Sequence, residues 1–137
     1  MDQRNMAQLL QEHGLRPTQQ RLAVYQYLLE HRIHPSADTV YEALVKQYPT
    51  FSRTTVYNSL HALVEASLVR ELPLDAEERH YDADVGEHGH FLCRHCRRIV
   101  DIPLEHTLMQ ALQPQGYAVD GQEITFSGLC PTCVPQV

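Results

Sequence analysis

Two cysteine pairs of identical spacing, Cys93-x2-Cys96 and Cys130-x2-Cys133, stand 33 residues apart near the C-terminal end of this chain. A C-x2-C knuckle lets two thiolates converge on one ion from a single tight turn. Two such knuckles supply the four soft ligands of a closed tetrahedral zinc site. A pair of disulfides would use the same cysteines but is disfavoured in a reducing cytosol. A thioredoxin-like redox motif would be one C-x2-C following a βαβ unit. The spacing therefore predicts a structural Zn2+ held by Cys93, Cys96, Cys130 and Cys133, which staples the last strand of a small domain to its first. Four thiolates and one Zn2+ sum to a charge of about −2, and Arg94, Arg97 and Arg98 surround the first knuckle to offset it.

The residues before the knuckles read as a different kind of structure. Met6, Leu9, Leu10 and His13 sit at helical spacing up to Gly14, a helix stop. Thr18 can cap a second helix carrying Leu22, Tyr25, Leu28 and Leu29, and Ser36 a third carrying Ala37, Val40, Tyr41, Leu44 and Val45. Ser52 can cap a fourth, with Val56, Leu60, Leu63 and Val64 on one side and Thr54, Asn58, His61 and Glu65 opposite, Thr55 and Tyr57 on the flanks. Leu68–Leu72 and Arg79–Asp82 then read as a hairpin around a turn at 73–77. The last three of these four helices followed by a two-stranded hairpin give the order of a winged helix.

After the hairpin come short strand-like runs at 90–92 and 99–102, a helix around 105–112, and a last strand pair at 117–119 and 123–126. Some 50 residues of this kind make a marginal core, which calls for a metal, a partner chain, or both. The expected fold is α+β: an N-terminal winged helix-turn-helix domain at 1–83, a hinge at 84–87, and a small α/β domain at 88–137. A composition of 43% hydrophobic and 20% charged residues excludes wholesale disorder and collagen-like repeats. No apolar run approaches the ~20 residues of a membrane helix and the first residues lack a secretory pattern, so a soluble cytoplasmic protein without a membrane partner is expected.

The formal charge of −6 argues against a protein that coats nucleic acid indiscriminately. The deficit is unevenly spread. Residues 1–72 hold seven basic and seven acidic side chains, whereas residues 73–137 hold four basic and ten acidic. Nine histidines are also many for 137 residues.

His88-Gly89-His90 places two imidazoles on the same side of an extended segment just ahead of Cys93. Asp82 lies on the second wing strand, Asp101 on the strand expected beside the knuckle, and His34 in the loop before the third helix. Three imidazoles and two carboxylates form a five-ligand N/O set with room for a sixth ligand, which suits Fe2+ or Mn2+ better than a thiolate set does. Without a cation the two aspartates repel, so a site drawing His34 and Asp82 from one domain and His88, His90 and Asp101 from the other would open when empty and close when filled. His13, His31, His61, His80, His95 and His106 are read as surface or locally hydrogen-bonded residues.

The run Arg16-Pro17-Thr18-Gln19-Gln20-Arg21, the helix start Ser52-Arg53-Thr54-Thr55-Val56-Tyr57-Asn58, and His88-Gly89-His90-x2-Cys93-x2-Cys96 with Cys130-x2-Cys133 closely resemble the ferric uptake regulator family. The resemblance implies a homodimer of winged-helix DNA-binding domains, each joined by a hinge to a dimerisation domain, that represses transcription when a regulatory metal is bound. Iron- and zinc-uptake members usually carry Glu where this chain has Asp101, and iron sensors tend to carry Glu at Asp82. The common H-H-D-H stands here as Glu87-His88-Gly89-His90, and no histidine follows His106, so a second His/Asp site is not expected. The set His34, Asp82, His88, His90 and Asp101 is thus similar to that of the peroxide-sensing branch, whose members bind Fe2+ or Mn2+. In that branch hydrogen peroxide oxidises ligand histidines, which correspond here to His34 and His88.

The same resemblance implies a pseudo-palindromic operator read by the fourth helices of a dimer in successive major grooves. Thr54, Thr55, Tyr57 and Asn58 are the expected base readers, with Arg53 nearer the phosphates and Arg16 reaching a groove from its loop. Rival readings are an iron- or zinc-responsive uptake repressor of the same family, a non-haem iron enzyme using the His/Asp cluster, and a bare zinc-stabilised DNA-binding module.

Overall fold

A computed structural model describes residues 2–72, 78–83 and 88–135. The expected wing turn at 73–77 and hinge at 84–87 lie outside the described residues. The chain divides into two compact units, Met1–Val85 and Gly86–Val137.

The first unit contains α1 (Gln3–Glu12), α2 (Gln19–Glu30), α3 (Ala37–Gln47), α4 (Arg53–Glu65), and a two-stranded ladder of β1 (Arg70–Leu72) and β2 (His80–Asp82). Each helix starts where a short polar side chain can accept an otherwise unpaired amide N–H. Asp2 accepts from Asn5, Thr18 from Arg21, Ser36 from Thr39 and Ser52 from Thr55. At the end of α1, Gly14 takes the left-handed conformation at φ 76°, which an L side chain adopts only with strain. The strands pair antiparallel with Arg70 opposite Asp82 and Leu72 opposite His80.

The periodicity of the helices carries through to their packing. Met6 and Leu10 of α1, Val24 and Leu28 of α2, Val40 and Leu44 of α3, and Val56, Leu60 and Leu63 of α4 form one core. Phe51, Leu68, Val69 and Tyr81 close it from the loops and the wing. The helix bearing the expected DNA readers is thus anchored along its apolar side, packing against α2 and α3, and its other face keeps Thr54, Tyr57, Asn58 and His61 exposed.

The second unit is a three-stranded sheet in the order β4-β3-β5, formed by β3 (His88–Cys93), β4 (Ile99–Pro103) and β5 (Thr125–Gly128), with the short α5 (His106–Ala111). β3 runs antiparallel to β4 and parallel to β5. The strand expected at 117–119 does not form. The chain turns there instead, with the Tyr117 N–H donating to the Pro114 carbonyl (3.3 Å) after Gly116 at φ 85°. The left-handed Gly116 and this bond turn the chain just as the run begins, and local turn chemistry wins over its apolar character. Met109, Cys93 and Cys130 are the buried apolar residues described in this unit, whereas Leu108, Leu112, Tyr117 and Phe126 are exposed.

The two sides of α4 should respond differently to truncation. Leu60→Ala, which empties a fully buried position, is expected to lower unfolding free energy by ~2–5 kcal/mol. Asn58→Ala, on the exposed side, should change it by less than ~0.5 kcal/mol. Urea denaturation of the two variants checks both.

Candidate metal centres and nucleic-acid face

The four cysteine sulfurs lie within 4.8 Å of one another. They are free thiols, and the Cys96 and Cys130 sulfurs stand 3.8 Å apart. That is far beyond the ~2 Å of a disulfide and matches the edge of a tetrahedron whose Zn–S bonds are ~2.3 Å. The first knuckle closes through Arg97 N–H to Cys93 O (2.9 Å) and Cys93 N–H to Arg98 O (3.0 Å), with Arg97 held left-handed at φ 63°. In the second, Cys133 N–H and Val134 N–H both donate to Cys130 O (2.9 Å each).

Amide groups of Cys130 and Cys96 point at the Cys93 sulfur (3.5 Å each) and hold its thiol down at about 5. The hydrogen bond to Cys130 instead pushes Cys133 up to about 12. Sulfurs this close cannot all ionise against one another, and a dication at their centre removes the conflict. The donor set fits zinc.

A second cluster in the same unit is built on the register of β3 and β4. His90 stands directly opposite Asp101, and alternation brings His88 to the same side of β3. The His88 and His90 Nε2 atoms are 3.1 Å apart, and Asp101 Oδ1 lies 3.5 Å and 3.4 Å from them. Donors at such separations are those of neighbouring ligands on one ion with bonds of ~2.1 Å. Both histidines are buried while Asp101 remains half exposed.

Gly89 explains how β3 carries this pair. A Cβ there would stand 3.0 Å from Leu104 Cδ1 and 3.1 Å from the Ile124 carbonyl oxygen, so the face opposite the histidines has no room for a side chain. The His90 N–H donates to that same Ile124 oxygen (3.0 Å). Sequence reasoning did not single out Gly89, although a glycine inside a strand is the usual sign of close backbone approach.

In the first unit, His34 and Asp82 are both buried, with His34 Nε2 3.5 Å from Asp82 Oδ2. Residues 34–36 are tied to the strand that carries Asp82. His80 Nδ1 donates to the His34 carbonyl (2.7 Å), Tyr81 N–H to the Pro35 carbonyl (3.0 Å), and Ser36 bridges His80. These bonds hold His34 in the left-handed region at φ 57°, a strained position for a non-glycine residue. His80 thus serves as a local hydrogen-bonding residue. His13, His31 and His61 likewise pair within their own helices or caps, with Leu9 O, Tyr27 O and Glu65.

On α4, Arg53, Thr54, Tyr57 and Asn58 are exposed, as is Arg16 in the loop before α2. Thr55 is half-buried and drawn into the helix cap, its hydroxyl 2.9 Å from Ser52 Oγ. Asp38 of α3, which the sequence did not mark, takes both Arg53 Nη1 and the Tyr57 hydroxyl on its Oδ1 atom. That hydrogen bond raises the Tyr57 phenol above its ordinary value and keeps it a proton donor.

Comparison with known proteins agrees with this geometry. The sequence model of the Ferric uptake regulator family matches residues 12–126. The chain is 35% identical over 127 residues to the peroxide operon regulator of Bacillus subtilis, spanning 90% of this chain and 88% of that protein. Among solved structures, the Campylobacter jejuni peroxide stress regulator matches with a TM-score of 0.74 at 32% identity, over 92% of this chain and 97% of that one. The Helicobacter pylori ferric uptake regulator shares the fold with a TM-score of 0.77 at 19% identity, over 97% of this chain and 91% of that one. The winged-helix unit, the paired cysteine knuckles and these matches together establish that the chain belongs to the Ferric uptake regulator family, whose members are transcriptional regulators and not enzymes.

Proposed function

We propose that this protein is a cytoplasmic, metal-dependent transcriptional repressor that senses hydrogen peroxide. In this reading His34, Asp82, His88, His90 and Asp101 hold one Fe2+ or Mn2+, while the four cysteines hold a structural Zn2+. The observation that carries it is the separation of donor types. The cysteines form one all-sulfur cluster, and His88, His90 and Asp101 converge within 3.5 Å using nitrogen and oxygen alone. Hard and borderline donors of this kind favour Fe2+ or Mn2+, whereas thiolates favour zinc.

The chain's own residues supply the response. His34 with Asp82, and His88 with His90 and Asp101, carry ligands on either side of the chain's division into two units, so a shared ion links metal occupancy to domain arrangement. Moving such an equilibrium from mostly open to mostly closed takes ~5 kcal/mol of differential binding, within reach of one divalent ion with five ligands. When bound, ferrous iron would promote cleavage of the peroxide O–O bond, and His34 and His88 would be the rings that take up one peroxide oxygen at a ring carbon, the other leaving as water with the displaced hydrogen. An oxidised ring no longer holds its place in the ligand set, and the DNA-binding arrangement is lost.

Two copies are needed to present α4 to successive grooves of a pseudo-palindrome. The exposed Leu108, Leu112, Tyr117 and Phe126 of the second unit support a second copy as the partner that covers them. Similarity to peroxide regulators at 31–35% identity over 90% of the chain, together with aspartate at both carboxylate positions, favours the peroxide reading over a metal-uptake repressor.

Three outcomes follow. Protein loaded with Fe2+ should release its DNA on peroxide treatment and gain one oxygen on His34 or His88 by mass spectrometry, whereas Mn2+-loaded protein should keep its DNA. Release without histidine oxidation, or no release, sinks the peroxide reading. Asp82→Ala or Asp101→Ala should weaken metal-dependent DNA binding by at least about tenfold with little change in circular dichroism, whereas a bare DNA-binding module would bind as before. Stripping zinc with a strong chelator, or Cys93→Ser, should unfold the second unit and yield monomers by light scattering.

A further inference from the structure

Two basic side chains near the start of α4 and on the wing, Arg53 and Arg79, are paired with carboxylates within the protein. Arg53 gives its Nη1 to Asp38, its guanidinium lies 4.6 Å above the Tyr41 ring, and Arg79 of the wing pairs with Glu71 at 2.8 Å. Asp38 is half exposed and lines a cleft of about 420 Å³ with Tyr57, Glu78, Arg79 and Tyr81. An exposed ion pair of this kind adds little to stability because water screens it. Its position does matter, because the carboxylate stands beside the two largest exposed side chains at the start of α4.

We propose that Asp38 is a specificity-determining residue for DNA recognition, which withholds the Arg53 charge from indiscriminate phosphate contact and commits the Tyr57 hydroxyl as a donor inward. This rests on the DNA-binding reading above. Half to two-thirds of protein–DNA hydrogen bonds go to the sugar–phosphate backbone and carry no sequence information. A cation already satisfied by a carboxylate gains less from a phosphate and must give up its partner to reach one. On a wrong sequence, where no base contacts compensate, that exchange is unfavourable. The hydroxyl that donates to Asp38 at 2.9 Å retains only acceptor capacity toward a base edge. In the major groove the matching donors are the amino groups of adenine and cytosine. Asp38 also lies in the first turn of α3, where a carboxylate favours the helix dipole. That role alone would alter melting temperature and leave DNA discrimination untouched.

The test uses the full chain loaded with Mn2+ and a duplex selected by the wild type from a random-sequence pool. Binding to the selected duplex and to a scrambled one is measured by fluorescence anisotropy across a potassium chloride series. Asp38→Asn keeps an acceptor oxygen and removes the charge. On scrambled DNA it should tighten binding about fivefold and steepen the salt slope by about 1.8, one additional phosphate for each protomer of the dimer. The ratio of selected to scrambled affinity should fall by a similar factor. In an Arg53→Gln background the same substitution should leave the slope unchanged. Tyr57→Phe, which keeps the ion pair, should lower the ratio with no change in slope.

Wild-type slope and ratio in Asp38→Asn, with or without a shifted melting temperature, overturn the proposal while repression stands. An unchanged ratio in Tyr57→Phe overturns it as well. Failure of the wild type to select any duplex overturns the DNA-binding reading and this inference together.

Discussion

Four sulfurs confined within 4.8 Å impose the condition on which the second unit rests. The core described there is small, with Met109, Cys93 and Cys130 as its buried apolar members, and that is too little apolar burial to offset the conformational entropy of ordering the segment. Convergence of the knuckles brings the end of β5 to the end of β3, and the Arg94 N–H donates to Gly128 O (2.8 Å) across that junction. The parallel β3–β5 pairing sets the Ile124 carbonyl against the His90 amide and packs Gly89 beneath it. The buried histidine pair therefore depends on a strand order that the thiolate site holds closed.

The first unit meets a comparable demand by hydrogen bonding. A left-handed His34 next to Pro35 is an unfavourable local conformation, and it persists because β2 takes up the loop's carbonyl groups through His80 and Tyr81. The bonds that relieve the backbone also bring the His34 imidazole to Asp82. Local strain is thereby converted into a defined position for the His34 imidazole beside Asp82.

Much of this was legible in the sequence because it follows from local rules. Helix starts at Thr18, Ser36 and Ser52 were readable from capping chemistry, and the core positions of α3 and α4 from a 3.6-residue period; in α2 the period found Tyr25 and Leu28 but missed the fully buried Val24. The cysteine set was readable from spacing, and the grouping of His88 and His90 from the two-residue period of a strand. What escaped was non-local. Asp38 reads as an ordinary first-turn acid until α4 is packed beside it. Gly89 reads as a spacer until Leu104 and Ile124 arrive against it. The run at 117–119 is apolar enough to read as a strand, yet the left-handed Gly116 and the Tyr117–Pro114 bond turn the chain there.

The strand β3 runs from His88 to Cys93, with an imidazole of the His/Asp cluster at one end and a sulfur of the cysteine cluster at the other. A strand of six residues is a stiff ruler of roughly 20 Å, and every residue along it is paired on at least one side. Neither end can shift alone. Separation of the cysteine sulfurs would slacken the same rod that holds His88 and His90. The nitrogen–oxygen cluster and the sulfur cluster of the second unit therefore share one mechanical element, and a displacement at either reaches the other along six paired residues.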